Sequence, residues 1–178
     1  IGYCRFKTNT GMNDDKTQAV ETFEERAHVS FKNKLLLTTA FTHRSYVNES
    51  SGAFEHNERL EFLGDAVLEL VVTDHLFRAH PDTPEGVLTA YRAGLVNTTI
   101  LGSIAEGLGM NECLRLSKGE AKDTGRARST ILANTLEAII GALYLDQGYR
   151  AAESFIKEKR PIINLTDQQI VGLREYQK

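Results

Sequence analysis

The sequence predicts an all-α fold, and three observations lead there. Apolar residues recur mostly at spacings of three and four, prolines are confined to Pro81, Pro84 and Pro161, and no run of strand length alternates apolar with polar residues. The chain has 178 residues, about one domain's worth, enough to bury roughly two-thirds of the surface its unfolded form exposes. No disulfide framework or structural metal is therefore needed to hold it together.

Each element follows from local pattern. The opening stretch, residues 1–11, is polar and basic with no apolar segment behind it, unlike a secretory signal; with Met12 directly after it, it reads as a leader ahead of a domain spanning 12–160. Residues 17–28 form a charged amphipathic segment, the first expected helix. Residues 34–40 give a short second one that ends at the polar turn Thr42-His43-Arg44-Ser45. The small polar stretch 48–53, NESSGA, predicts a mobile loop. From Glu58, the residues Leu60, Leu63, Val67, Leu70 and Val71 mark the longest helix, which continues to about Ala79, where HPDTP breaks it. Residues 85–96 and 98–108 follow as helices, the second closed by Gly107 and Gly109. Residues 115–128, RLSKGEAKDTGRAR, read as a basic loop. Helices are expected again at 129–145 and 149–159, and residues 161–178 read as a polar tail or linker.

Composition excludes several classes of function. Twenty-one basic against twenty-four acidic side chains give a net charge of −3, so bulk charge does not attract this protein to nucleic acid, and any polyanion binding is local or carried by cations. Cys4 and Cys113 stand far apart without a CxxC or Cys/His cluster, which argues against zinc or disulfides and makes a reducing cytoplasm the simplest setting. The longest apolar run, about 138–145, is far short of the roughly 20 residues that span a bilayer, so no membrane partner is expected. No Gly-x-Ser-x-Gly elbow, Walker loop or HExxH occurs, and the two Glu-x-x-His motifs of a di-iron bundle are not both present. No small-molecule substrate is indicated.

The segment HNERLEFLGDAVLEL, residues 56–70, carries the chemistry. On a helix Glu58, Glu61 and Asp65 fall at i, i+3 and i+7, so all three leave one face, where like charges repel. A solvated acidic stripe is the plain explanation. Against it, the neighbouring Phe62, Leu63, Ala66, Val67, Leu68, Leu70 and Val71 leave little of the helix to face water. A second apolar helix, ILANTLEAIIGALYL, places Asn134 and Glu137 at i and i+3. Oxygen groups crowded on apolar helices are costly without a compensating cation. Mg²⁺ suits such a place, because it takes hard oxygen ligands, uses few protein groups and keeps waters. Two facing helices would present Glu61, Asp65, Asn134 and Glu137 around one ion.

The same segment resembles the signature of the ribonuclease III family: NERLEFLGD, residues 57–65, agrees without a gap. FTHRSYVNES at 41–50 is similar to the family's upstream motif, PEGVLTAYRAGLV at 84–96 to its middle one, and LSKGEAKDTGRARSTILANTLEAIIGALYLDQG at 116–148 to its closing half. The resemblance implies the all-helical ribonuclease III endonuclease-domain fold. It further implies a homodimer whose valley holds double-stranded RNA, and Mg²⁺-dependent cleavage, with Mn²⁺ able to substitute, that leaves staggered 5′-phosphate and 3′-hydroxyl ends. By the same resemblance Glu61, Asp65 and Glu137 are the metal-binding and catalytic carboxylates, and Glu58 and Glu85 are a supporting acidic pair. Asn134 departs from the family pattern, in which many relatives have Asp, and supplies a neutral carbonyl oxygen instead of a charged one.

The remaining polar residues have competing readings. Lys118, Lys122, Arg126 and Arg128 attract RNA phosphates or are solvated loop charges. His43 is a helix-terminal hydrogen-bonding residue or a base. Arg44 and Arg59 brace carboxylates, and Tyr46, Phe62 and Tyr144 are core or dimer contacts. A non-catalytic, RNA-binding or ribosome-associated relative is the alternative to the nuclease; loss of chemistry ordinarily shows as replaced carboxylates, and Glu61, Asp65 and Glu137 all remain.

Overall fold

The structure, a computed structural model, describes residues 14–50 and 55–159. The expected leader, the tail and most of the 48–53 loop lie outside them. Among the described residues the fold is all-α: α1 (Asp14–Ala27), α2 (Lys34–Ala40), α3 (Arg44–Glu49), α4 (Glu58–Ala79), α5 (Glu85–Leu95), α6 (Thr98–Gly107), α7 (Met110–Cys113), α8 (Arg126–Gln147) and α9 (Tyr149–Glu158), with a single 3-10 turn at Glu120–Lys122. Among these residues extended pairing is limited to one isolated parallel bridge between Thr42 and Arg115, and no helix is long and apolar enough to cross a membrane.

The core is organised around α8, against which α2, α4, α6 and α9 all pack. From Ile131 to Leu143 every residue of α8 is buried except Asn134 and Glu137. The α4–α8 pair is the most extensive helix contact, and it is close because glycines meet backbone. A Cβ at Gly64 would run into the carbonyl oxygen of Glu137, and one at Gly141 into that of Leu60. Leu60, Val67, Leu68, Val71 and Val72 of α4 and Leu136, Ile139, Ile140 and Leu143 of α8 fill the space on either side. Farther along, Asp146 ties the end of α8 to the start of α2: its carboxylate accepts from the backbone N–H groups of Lys32 (2.8 Å) and Asn33 (2.9 Å).

Three local expectations change. The polar turn at 42–45 is the start of α3: His43 is its N-cap, its ring accepting from the Ser45 N–H. Neither the six residues of α3 nor the four of α7 are long enough to show an apolar stripe, so periodicity does not reveal them. The basic loop is shorter than expected, because α8 begins at Arg126 and not at Ser129. Ser129, the expected start, sits inside the helix against Gly102 of α6, where an added Cβ would stand 2.6 Å from its hydroxyl. Arg126 and Arg128 therefore belong to the first turn of α8.

Gly64→Ala or Gly141→Ala forces two backbones apart and is expected to cost about 3 kcal/mol in urea unfolding, the upper end of core overpacking. Gly86→Ala in α5, where an added Cβ meets nothing within 4 Å, is expected to be neutral or stabilising by about 0.5 kcal/mol.

Candidate metal centre

The crossing brings the predicted oxygen groups to one place. Glu61 and Asp65 lie one turn apart on α4, and Gly64 between them is the residue in contact with the Glu137 backbone of α8. Asn134 lies one turn before Glu137 on the same side of α8. Glu61 and Glu137 are half-buried, Asp65 is exposed, and the Asn134 side chain hydrogen-bonds the Glu61 carboxylate across the two helices.

The electrostatics of the cluster is a conflict. Burial, then the charges of Asp65, Glu61 and Glu69, push the Glu137 carboxyl up to about 7. Burial and the charges of Glu58 and Asp65 also raise Glu61, while the hydrogen bond from Asn134 works the other way. An aspartate at 134 would add a further like charge; the amide relieves one, and leaves its carbonyl oxygen as a neutral donor. Among the described residues no three Asp, Glu, His or Cys side chains are gathered tightly enough to hold an ion by themselves. The fit to a divalent cation therefore rests on donor chemistry: an all-oxygen set from two helices, with carboxylates raised by burial and mutual repulsion, in need of waters to complete a shell.

The other predicted residues distribute around this centre. Glu58 is exposed, acts on Glu61, and is braced by Arg44 at 3.3 Å, as expected of that arginine. Glu85 opens α5, its carboxylate accepting from the Thr89 hydroxyl at 3.0 Å, and it is not among the charges that shift Glu61 or Glu137. His43 takes the helix-terminal role. Of the four basic candidates, Lys118, Lys122 and Arg126 are exposed. The Arg128 guanidinium is committed to the protein: it donates to the carbonyls of Asp123 (3.1 Å) and Glu120 (2.8 Å) and to the Asn111 side chain (3.1 Å). Cys113 is a buried free thiol that burial pushes up to about 12, and so is unreactive.

Two features escaped the sequence reading. Glu69 follows Asp65 by one turn, adds to the field on Glu137, and is paired with Arg92 of α5 at 2.8 Å. Its i+4 position from Asp65 was the available signal. The second is an apolar stripe on the outer side of α4: Phe62 is 82% exposed, Leu70 56% and Phe77 70%, with exposed Ala66 and Thr73 between them. These positions fall on one side of the helix, so α4 is apolar on two opposite faces, only one of which is used within this chain.

Comparison with known proteins bears on this arrangement. The Ribonuclease-III-like family profile matches residues 33–162. The Ribonuclease 3 of Bdellovibrio bacteriovorus is 42% identical over 161 residues, covering 90% of this chain and 68% of that protein. The Ribonuclease 3 of Streptomyces coelicolor is 54% identical over 121 residues, covering 68% of this chain but 44% of its own length. Among solved structures, the nuclease domain of the Campylobacter jejuni enzyme superimposes with a TM-score of 0.72 at 39% identity, over 80% of this chain and 95% of that one.

The raised Glu137 gives a signed pH dependence. Its carboxyl ordinarily titrates at 4.5 and here near 7, so between those values the folded state holds a proton that the unfolded state has released. Stability with a chelator present falls as pH rises across that window, and the loss is complete above it. Glu137→Gln is expected to remove the dependence and to be about 1 kcal/mol more stable than the unsubstituted chain at pH 8, a figure discounted for partial exposure. Thermal midpoints measured from pH 4 to 8 in a chelating buffer check this.

Proposed function

The chain belongs to the ribonuclease III family, and from that premise we propose that it is the nuclease module of a homodimeric, Mg²⁺-dependent endoribonuclease that cleaves double-stranded RNA. The observation that carries the reading is the crossing of α4 and α8, which sets Glu61 and Asp65 beside Asn134 and Glu137. These are the positions the family's motifs assign to metal and catalysis. Mn²⁺ substitutes for Mg²⁺ at such a site. In this reading the module spans 12–160, and residues 161–178 are a tail or linker.

A bound divalent ion supplies an activated water and a stabilised leaving oxygen for phosphodiester hydrolysis. The chain's own part is to hold that chemistry in place. Glu61, Asp65 and Glu137 present charged oxygens, and Asn134 adds a neutral one. Arg44 holds Glu58 at the edge of the site, and Glu58 with Glu85 contributes supporting negative charge along the valley. Exposed Lys118, Lys122 and Arg126 meet phosphates, while Arg128 shapes the segment that presents them. This division explains how a chain of net charge −3 acts on a polyanion: the attraction is local. The retained carboxylates disfavour the non-catalytic reading.

The outer stripe of α4 supplies the dimer surface. A strip of Phe62, Ala66, Leu70 and Phe77 facing a second copy of itself about a two-fold axis is self-complementary by construction. It also lies on the helix that carries Glu61 and Asp65, so dimerisation sets the spacing between two active sites. The product ends are a 5′-phosphate and a 3′-hydroxyl, offset between strands.

A long RNA duplex is expected to be cut in millimolar Mg²⁺ at low salt, with single strands and DNA duplexes spared; an intact RNA duplex after incubation overturns the nuclease reading. Glu137→Gln is expected to reduce cleavage by about a hundredfold or more while the fold is kept. Asn134→Asp tests whether the amide limits the site: a gain in rate is expected. Phe62→Asp is expected to convert the dimer to monomer in sedimentation, and an unchanged dimer would move the interface elsewhere.

A further inference from the structure

Five polar residues are buried among those described: Thr39, Thr42, Asn57, Ser117 and Thr135. Four of them gather where the end of α2, the start of α4 and the segment leading to the basic stretch meet. Buried polar groups are tolerated when their bonds are made, and a connected set of them holds one arrangement in preference to others.

Asn57 is the centre of this junction. It is 2% exposed and occupies the N-cap position of α4, a place where asparagine ordinarily turns its side chain back onto the helix. Here it makes no such cap bond. Its side-chain amide donates instead to the carbonyl of Ala40, at the end of α2, at 3.2 Å. Its backbone N–H donates to Thr42 at 2.9 Å, and its carbonyl accepts from the Glu61 N–H at 2.9 Å. The 41–43 strip is pinned from its other side, since Arg115 donates to the Phe41 carbonyl (2.9 Å) and accepts from the His43 N–H (3.0 Å). Farther on, the Ser117 N–H donates to the Ser45 hydroxyl at 3.0 Å. The start of α4 is thus tied through one residue to the strip that also fixes the root of the basic segment.

We propose that Asn57 is a positioning residue for the metal centre, setting the height of α4 so that Glu61, one turn beyond it, stands level with Asn134 of α8. The inference rests on the metal-site reading given above and goes beyond it, because Asn57 bears no charge and touches no reacting group. Glycine contact at Gly64 fixes how closely the helices approach; Asn57 fixes how far α4 slides along the crossing. Both are needed for oxygen groups on two helices to meet.

The test uses the full 178-residue chain and Mn²⁺ uptake followed by the spin-resonance signal of the free ion. Asn57→Ala, checked for helical content, is expected to bind Mn²⁺ roughly tenfold more weakly, as supporting residues around metal sites do when removed. It is also expected to need correspondingly more Mg²⁺ for half-maximal cleavage, with the KM for duplex RNA unchanged. If Asn57→Ala does not fold, Asn57→Ser carries the same test, being small enough to pack and too short to reach Ala40. A folded variant that melts earlier yet keeps Mn²⁺ affinity within about twofold of the unsubstituted chain overturns the proposal and leaves Asn57 a structural residue only. Failure of the unsubstituted chain itself to take up Mn²⁺ overturns the metal centre, and the role of Asn57 with it.

Discussion

The structure depends on one close approach, the backbone-to-backbone crossing of α4 and α8 at Gly64 and Gly141. Side chains normally keep helix axes 8–10 Å apart, and the two glycines remove that spacer at the point where the helices meet. Dispersion contacts around the crossing grow because the surrounding Leu, Ile and Val side chains interdigitate with little room to relax. The same contact decides where the site lies. Gly64 stands between Glu61 and Asp65, and its neighbour across the gap is the backbone of Glu137, so the tightest packing and the greatest crowding of negative charge share one location.

That coincidence sets stability against function. The core around α8 favours apolar groups, yet Asn134 and Glu137 interrupt it, and each like charge nearby makes Glu137 harder to ionise. A carboxyl poised near neutrality is a store of unfavourable energy, which a cation bound there would release. Asn134 moderates it: its amide donates to the Glu61 carboxylate, where an aspartate would repel. The amide exchanges charge for a hydrogen bond, lowering the repulsion within the cluster.

α4 serves two masters. Its inner face is buried against α8, its oxygen groups occupy the flank, and its outer face displays Phe62, Leu70 and Phe77. A helix apolar on opposite sides gives little directional signal in the sequence, which is why Leu70 reads as core alongside Val67 and Val71 but stands exposed here. In the proposed dimer the rod that carries the carboxylates would also meet the second copy, so the distance between the two carboxylate clusters would be set by one rigid element and not by loops.

By itself the sequence determined the helical class and the seven longer helices to within a few residues, and it singled out the oxygen groups that the α4–α8 crossing brings near one another, because helical period and charge placement are properties of neighbours three and four apart. NERLEFLGD and the closing motif carried the family. Short α3 and α7 were not legible, since so few residues show no period and His43 acts as a cap only once Ser45 folds back to it. Arg128 looked like its basic neighbours, and only the fold turned its guanidinium inward to the carbonyls of Glu120 and Asp123. The tertiary structure alone decided which of α4's two apolar faces is core, and how Asn57 spends its hydrogen bonds. Both depend on groups more than a dozen residues away, and no local pattern encodes contacts that exist only after two helices have crossed.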